Sequence, residues 1–352
     1  MLSPAPAAAT SGPDTDPQQL VVAHRGASGY LPEHTLAAYE LAFAQGADVV
    51  EPDLVMTADG VLVVRHENEI GETTDVARRP RFADRRTTKV VDGHVCTGWF
   101  AEDFTLEELK TLRAVERLPH LRPGSSAFDG AFGLVTFDEL LQLAARSRTT
   151  DGRPVGLLVE VKHATYLGSI GLDPVPAILA ALEAAGHTSV DAPVMLQSFE
   201  TTCLRRLAEQ SDVRIGQLVE VCEGPYDQTA AGTPQTWRDL LSAPGLAEIS
   251  RYADAVGLEK ELIIPRDADG WLLAPSPVTH RAHDVGLEVF GWTFRGENGF
   301  LPLDFRRGSD PSAQGDLAGE IAVHLAAGMD SVITDHPDLA RIARHEKVLV
   351  AA

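Results

Sequence analysis

Residues 20–35 read Leu20-Val21-Val22-Ala23-His24-Arg25-Gly26-Ala27-Ser28-Gly29-Tyr30-Leu31-Pro32-Glu33-His34-Thr35. The apolar run Leu20–His24 has the length of a buried strand, and it ends in a proton-transfer group followed by a permanent cation. Gly26 and Gly29 allow a tight turn, and Pro32 and Glu33 are expected to open a helix. Helical periodicity covers Thr35–Gln45 and stops at Gly46, after which Asp48–Asp53 reads as a second strand. One β-then-α unit is complete, and the chain repeats it.

Further strands are expected at Val155–Val161, Val194–Ser198, Val213–Val219, Ala253–Leu258, Leu287–Trp292 and Asp330–Thr334. Helical patterns fall between them at Phe137–Arg148, Pro176–Ala185 and Leu317–Ala327, and Gly186, Gly286 and Gly328 precede strands as stop signals. This alternation predicts an α/β fold, a closed (β/α)8 TIM barrel. An open doubly wound sheet is the alternative, but the chain has no GxGxxG turn and no Walker lysine loop.

Two segments break the rhythm. Val61–His66 follows the second strand too closely for a parallel crossover, so it must return as an antiparallel hairpin with Asp59-Gly60 in its turn. Residues 67–134 carry many charges, Gly and Pro with little strand pattern, and read as an insertion on the carboxyl face with one short helix near Thr105–Arg113. A smaller insertion is expected at about 223–244. Residues 1–18 are rich in Ala, Pro, Ser, Thr and Asp and are expected to be disordered ahead of a barrel over 19–352. They lack the basic and apolar regions of a signal peptide, as a chain with its leader removed also would.

The chain has 352 residues, 44% of them apolar, which is enough for a full core. No apolar run is long enough to span a bilayer, so no stable membrane insertion is expected. A net charge of −21 argues against nucleic acid and suits a hard divalent cation. Cys96, Cys203 and Cys222 lie far apart without metal or redox spacing and are read as free or buried thiols, with one disulfide as the alternative.

Glu51 and Asp53 are two apart on a strand, so both side chains leave one face. Carboxylates on a core-facing strand are costly unless they bind something. With the hairpin turn centred on residues 58 and 59, residue i faces 117 − i, which sets His66 opposite Glu51 to within a residue or two. Glu160 and Lys162 repeat the same-face spacing on the next strand. Three carboxylates without Cys select Ca2+ or Mg2+ over Zn2+.

These motifs in order, His-Arg-Gly-Ala-Ser-Gly-Tyr-Leu-Pro-Glu-His-Thr, Glu-x-Asp, His66 and Glu-Val-Lys, resemble the glycerophosphodiester phosphodiesterase family, in its longer bacterial form. Leu-Gln-Ser-Phe at 196–199, Gly-Trp-Thr at 291–293 and Thr-Asp-His-Pro at 334–337 extend the likeness over nearly the whole chain from about residue 19. The resemblance implies a (β/α)8 barrel that cleaves glycerophosphodiesters into sn-glycerol 3-phosphate and an alcohol. It also implies that His24 and His66 are the acid–base pair, that Glu51, Asp53 and Glu160 hold the metal, and that Arg25 and Lys162 hold phosphate. Ca2+ use would fit an extracytoplasmic enzyme. Glu67 stands where family members usually carry Asp, and His163 and Tyr166 are less typical, which bears on the leaving group.

The nearest rival is a sphingomyelinase-D-like phospholipase on the same barrel, which needs an apolar rim that an acidic chain with 6% aromatic residues disfavours. An inactivated barrel would have lost a histidine or a metal ligand, and a metal-dependent sugar isomerase leaves Arg25 and Lys162 without a task.

Overall fold

The strands are β1 Val21–His24, β2 Val49–Glu51, β3 Asp53–Met56, β4 Leu62–Val64, β5 Thr87–Val91, β6 His94–Gly98, β7 Gly156–Val161, β8 Val194–Ser198, β9 Arg214–Val219, β10 Ala255–Glu259, β11 Glu288–Phe294 and β12 Ser331–Thr334. They belong to a computed structural model that describes residues 19–222 and 224–351. The disorder expected for residues 1–18 lies outside the described residues.

The parallel order runs β2-β1-β12-β11-β10-β9-β8-β7-β3, and a further β2–β7 pairing closes the ring. β2 and β3 share one position, so the barrel has eight strand positions with helices outside. The single strand expected over Asp48–Asp53 is broken at Pro52, which has no N–H for a ladder. Its carbonyl still accepts from Glu160 N at 2.8 Å, so β7 spans the break. Val22, Leu158, Met195, Ala255, Phe290 and Ile333 fill the barrel axis, so the interior is a packed core and chemistry is confined to its ends.

Other boundaries need correction. The helix after β1 begins at Leu36, not at Pro32-Glu33, because Thr35 caps it and accepts from Ala38 N. Pro32 and Glu33 lie in the preceding turn. Residues 67–134 do contain strands: β5 and β6 form an antiparallel hairpin around Asp92-Gly93, at φ 48° and 83°. The expected helix there is shorter, Leu106–Leu109, held by a Thr105/Glu108 capping box. Phe82, Phe104, Leu109 and Leu112 give this excursion its own apolar cluster against Val55 and Val63.

Gly26 has φ +88°, and a Cβ there would stand 2.8 Å from the Ala38 carbonyl carbon. Gly26→Ala is therefore expected to destabilise the fold by roughly 2 kcal/mol or more, read as a lower melting temperature. Gly29 has an ordinary φ, but its Cβ would meet the His336 ring at 2.4 Å.

Candidate active site

Strand register builds the site. His24 is the partner of Glu51 across β1–β2, and Asp53 is the partner of Glu160 across β3–β7. Ala23 pairs with Thr334 across β1–β12, so the next residues on both strands, His24 and Asp335, also meet. Buried oxygens of Glu51, Asp53 and Glu160 all lie within 4.8 Å of one another. A cavity of about 220 Å³ opens over them, lined by His24, Arg25, Glu51, His66, Glu160 and Lys162 among others. Asp53 stands behind it in the carboxylate cluster.

His24 Nδ1 donates to Asp335 Oδ1 at 2.6 Å, which leaves Nε2 as the nitrogen without that proton. Asp335 is held by Arg122 Nη2 at 2.5 Å and Arg295 Nε at 2.9 Å, and these cations keep its carboxyl ionised well below the usual range. Burial, then Arg25, lowers His24 to about 4, against the pull of Asp335. It is a neutral imidazole at neutral pH.

His66 reaches the cavity by a different route from the expected one. β4 pairs Val64 with Leu54, one position beyond the expected register, so an extended ladder would face His66 toward Pro52. The strand ends first: Arg65 N bonds Asp53 O, and His66 leaves the ladder to line the cavity. Glu67 Oε1 stands 2.8 Å from His66 Nδ1, an ion-pair distance without an aligned hydrogen bond. Burial, Arg25 and Lys162 hold His66 down to about 3.

Arg25 sits in the left-handed region at φ 59°, a conformation that a non-glycine residue keeps only when its surroundings hold it. Its backbone N–H donates to the Glu51 side chain at 3.1 Å, and its Nη1 lies 3.2 Å from both Glu33 oxygens. Its Nε, 3.3 Å from Asp53, has no aligned acceptor. Lys162 Nζ is 2.7 Å from Glu160 and 3.6 Å from Asp53.

The carboxylate cluster fits a cation. Burial and mutual repulsion raise Glu51 well above its ordinary value and Glu160 to about 8, while Lys162 and His34 hold Asp53 low despite its burial. Asp53 Oδ1 and Glu160 Oε1 are buried without an aligned donor. Lys162 Nζ already stands 3.6 and 2.7 Å from these two oxygens, but one ammonium does not balance three clustered buried carboxylates, which stay costly unless a further charge meets them. An all-oxygen donor set suits a hard divalent ion.

Glu67 and His163, both flagged as departures, form one unit. His163 Nδ1 donates to Asp92 at 2.6 Å and Nε2 donates to Glu67 at 3.1 Å. Two acceptors require a doubly protonated ring, and despite desolvation they raise His163 to about 10. Since this lies above the ordinary 6.5, the contribution to stability is complete below pH 6.5 and is lost as pH rises through about 10. Melting temperature should therefore fall between pH 7 and 10, and less so in His163→Gln. Tyr166 is spent elsewhere, donating to Glu102 at 2.7 Å.

Comparison with known proteins decides the family. Residues 24–339 match the model of the glycerophosphoryl diester phosphodiesterase family. The chain belongs to it. A glycerophosphodiester phosphodiesterase of Arabidopsis thaliana is 33% identical over 309 residues, 84% of this chain and 79% of the relative. One from Treponema pallidum is 29% identical and covers 92% of this chain and 90% of its own. Among solved structures, an Oleispira antarctica phosphodiesterase in complex with the product sn-glycerol-3-phosphate superposes with TM-score 0.58 at 19% identity, over 93% of this chain and 96% of that one. At that identity the likeness shows the barrel fold. The relatives do not favour the sphingomyelinase-D-like alternative.

Sequence reasoning missed several residues of this glycerophosphoryl diester phosphodiesterase site. Asp335 stood in the quoted Thr-Asp-His-Pro motif, immediately after a strand, and that position was its signal. Glu33 and His34 stood in the opening motif: Glu33 pairs with Arg25 and Arg117, and His34 Nε2 donates to Asp53 at 2.8 Å. Arg122 and Arg295 had no local signal at all.

Proposed function

We propose that this protein is a metal-dependent phosphodiesterase that hydrolyses glycerophosphodiesters, such as glycerophosphocholine and glycerophosphoethanolamine, to sn-glycerol 3-phosphate and an alcohol. The observation that supports it is one cavity with two neutral imidazoles and two cations set over three buried carboxylates. Glu51, Asp53 and Glu160 would hold the ion, Ca2+ with Mg2+ as the alternative, and it would supply charge neutralisation and a more acidic glycerol 2-hydroxyl.

The side chains divide the remaining work. Arg25 and Lys162 hold phosphate oxygens and stabilise charge as it builds. Asp335 stabilises an imidazolium at His24, which suits His24 to take the proton of the 2-hydroxyl as that oxygen attacks phosphorus. His66 protonates the departing alcohol oxygen. The 1,2-cyclic phosphate then opens to water with the two roles exchanged. Neutral histidines match the base, and a bound phosphodiester anion offsets Arg25 and Lys162 so that the acid can be protonated.

Residues 67–134 and 223–244 are read as excursions from a single barrel domain. An extracytoplasmic location accompanies the Ca2+ reading. Among the described residues no helix is long and apolar enough to cross a membrane. The test is a coupled assay of glycerol 3-phosphate release across several glycerophosphodiesters, with and without EDTA. Failure to release it from any of them would sink the proposal.

A further inference from the structure

We infer that Arg117 is a third phosphate-binding cation, carried into the catalytic cavity by the 67–134 segment; this rests on the proposed phosphodiesterase reading. Beyond Arg25 and Lys162, two further guanidinium groups line that cavity, those of Arg117 and Arg295. The four cations differ in how many of their donors are already committed.

Arg25 gives Nη1 to both oxygens of Glu33, and its Nε faces Asp53. Lys162 stands 2.7 Å from Glu160 and 3.6 Å from Asp53. Arg295 spends Nε on Asp335 and lays its guanidinium over the Phe300 ring, 4.7 Å from the centroid. Arg117 makes a single polar contact among the described residues, Nε to Glu33 Oε2 at 3.2 Å. Both of its terminal nitrogens are therefore unspent, and the side chain is 26% exposed, so water can hold them until an anion arrives. Glu33 is shared with Arg25, so one carboxylate answers two guanidinium groups. The free edge of a guanidinium presents parallel N–H groups that match two phosphate oxygens.

The backbone around Arg117 is fixed on both sides. Val115 N donates to Thr73 O at 3.0 Å, and Glu116 N donates to Asp129 at 2.7 Å. The buried Glu116 carboxylate accepts from Leu118 N at 2.8 Å and from the Ser125 hydroxyl at 2.5 Å. Five residues on, Arg122 is clamped to Glu297 and Asp335. A cation presented from a backbone already ordered loses little freedom when it takes a ligand.

The test is calorimetric titration of the full-length, Ca2+-loaded protein with methyl phosphate, a monoester that lacks the glycerol group. Arg117→Gln should bind it at least about tenfold more weakly while its Ca2+ affinity stays within about twofold, and Arg117→Lys should recover part of the loss. Unchanged methyl phosphate binding in Arg117→Gln would overturn the inference. So would an equal loss of Ca2+ and methyl phosphate affinity, which would mark a role in holding Glu33 and Arg25 in place. A measurement on the native protein decides the matter even where the variants misfold. Saturating methyl phosphate should slow modification of Arg117 by phenylglyoxal, followed by peptide mass, and an unchanged rate would refute the assignment. In turnover, kcat/KM for glycerophosphocholine should drop at least about tenfold in Arg117→Gln, and an unchanged value would also refute it. Should no glycerophosphodiester be cleaved by the native protein, the phosphodiesterase reading fails while the titration and the protection still judge Arg117.

Discussion

His24→Ala is expected to lower kcat by at least ~10²-fold while the protein keeps its melting temperature to within a few degrees. The side chain has its Nδ1 committed to Asp335 and lines the cavity with the rest of its ring, so its removal takes away proton transfer and leaves the carboxylate cluster in place. Asp335→Asn separates orientation from chemistry. An amide of the same shape can present its NH2 to Nδ1 and turn the ring into the wrong tautomer, which should also depress kcat strongly with a smaller change in KM. The acid limb of kcat/KM should lie below pH 6.5 in the native enzyme, because burial and Arg25 hold the free imidazole near 4. Near-normal turnover by His24→Ala would remove it from the reaction.

EDTA should abolish activity, and Ca2+ or Mg2+ should restore it. Without an ion, Glu51 and Glu160 relieve their repulsion by holding protons, as their raised values show. An incoming ion must displace those protons, so apparent affinity should climb with pH through the neutral range up to about 8. Saturating ion at about a hundred times its dissociation constant adds roughly 2.7 kcal/mol to stability, a shift of several degrees in melting temperature. Glu160→Gln should erase both the shift and the restoration. A metal-free preparation with full activity would contradict the carboxylate assignment.

The site was legible where its chemistry lay on single strands. Glu51, Asp53, Glu160 and Lys162 announced themselves by two-residue spacing, and the ladder brought them together as that spacing implied. His66 was found for an imperfect reason: the ladder is offset by one, and the residue arrives because β4 stops at Val64. Asp335 directly follows the last strand, β12, 311 positions from His24, so only the pairing of the first strand with the last makes them neighbours. The β5–β6 hairpin was invisible because its strand residues are largely exposed and carry no alternating apolar pattern, so the Asp92-Gly93 turn was the only cue.

Arg122 comes from residues 67–134, yet it is almost fully buried against the barrel mouth, where it binds Asp335, Glu297 and the Ser28 carbonyl at once. The His24–Asp335 pair is thus anchored in part by a segment that adds no strand to the barrel ring. Local opening of that segment would take away one of the two cations on Asp335 and leave Arg295 alone to hold the partner of His24. Turnover is therefore expected to fall at temperatures below the melting of the barrel, read by comparing activity with the unfolding transition on one heating ramp.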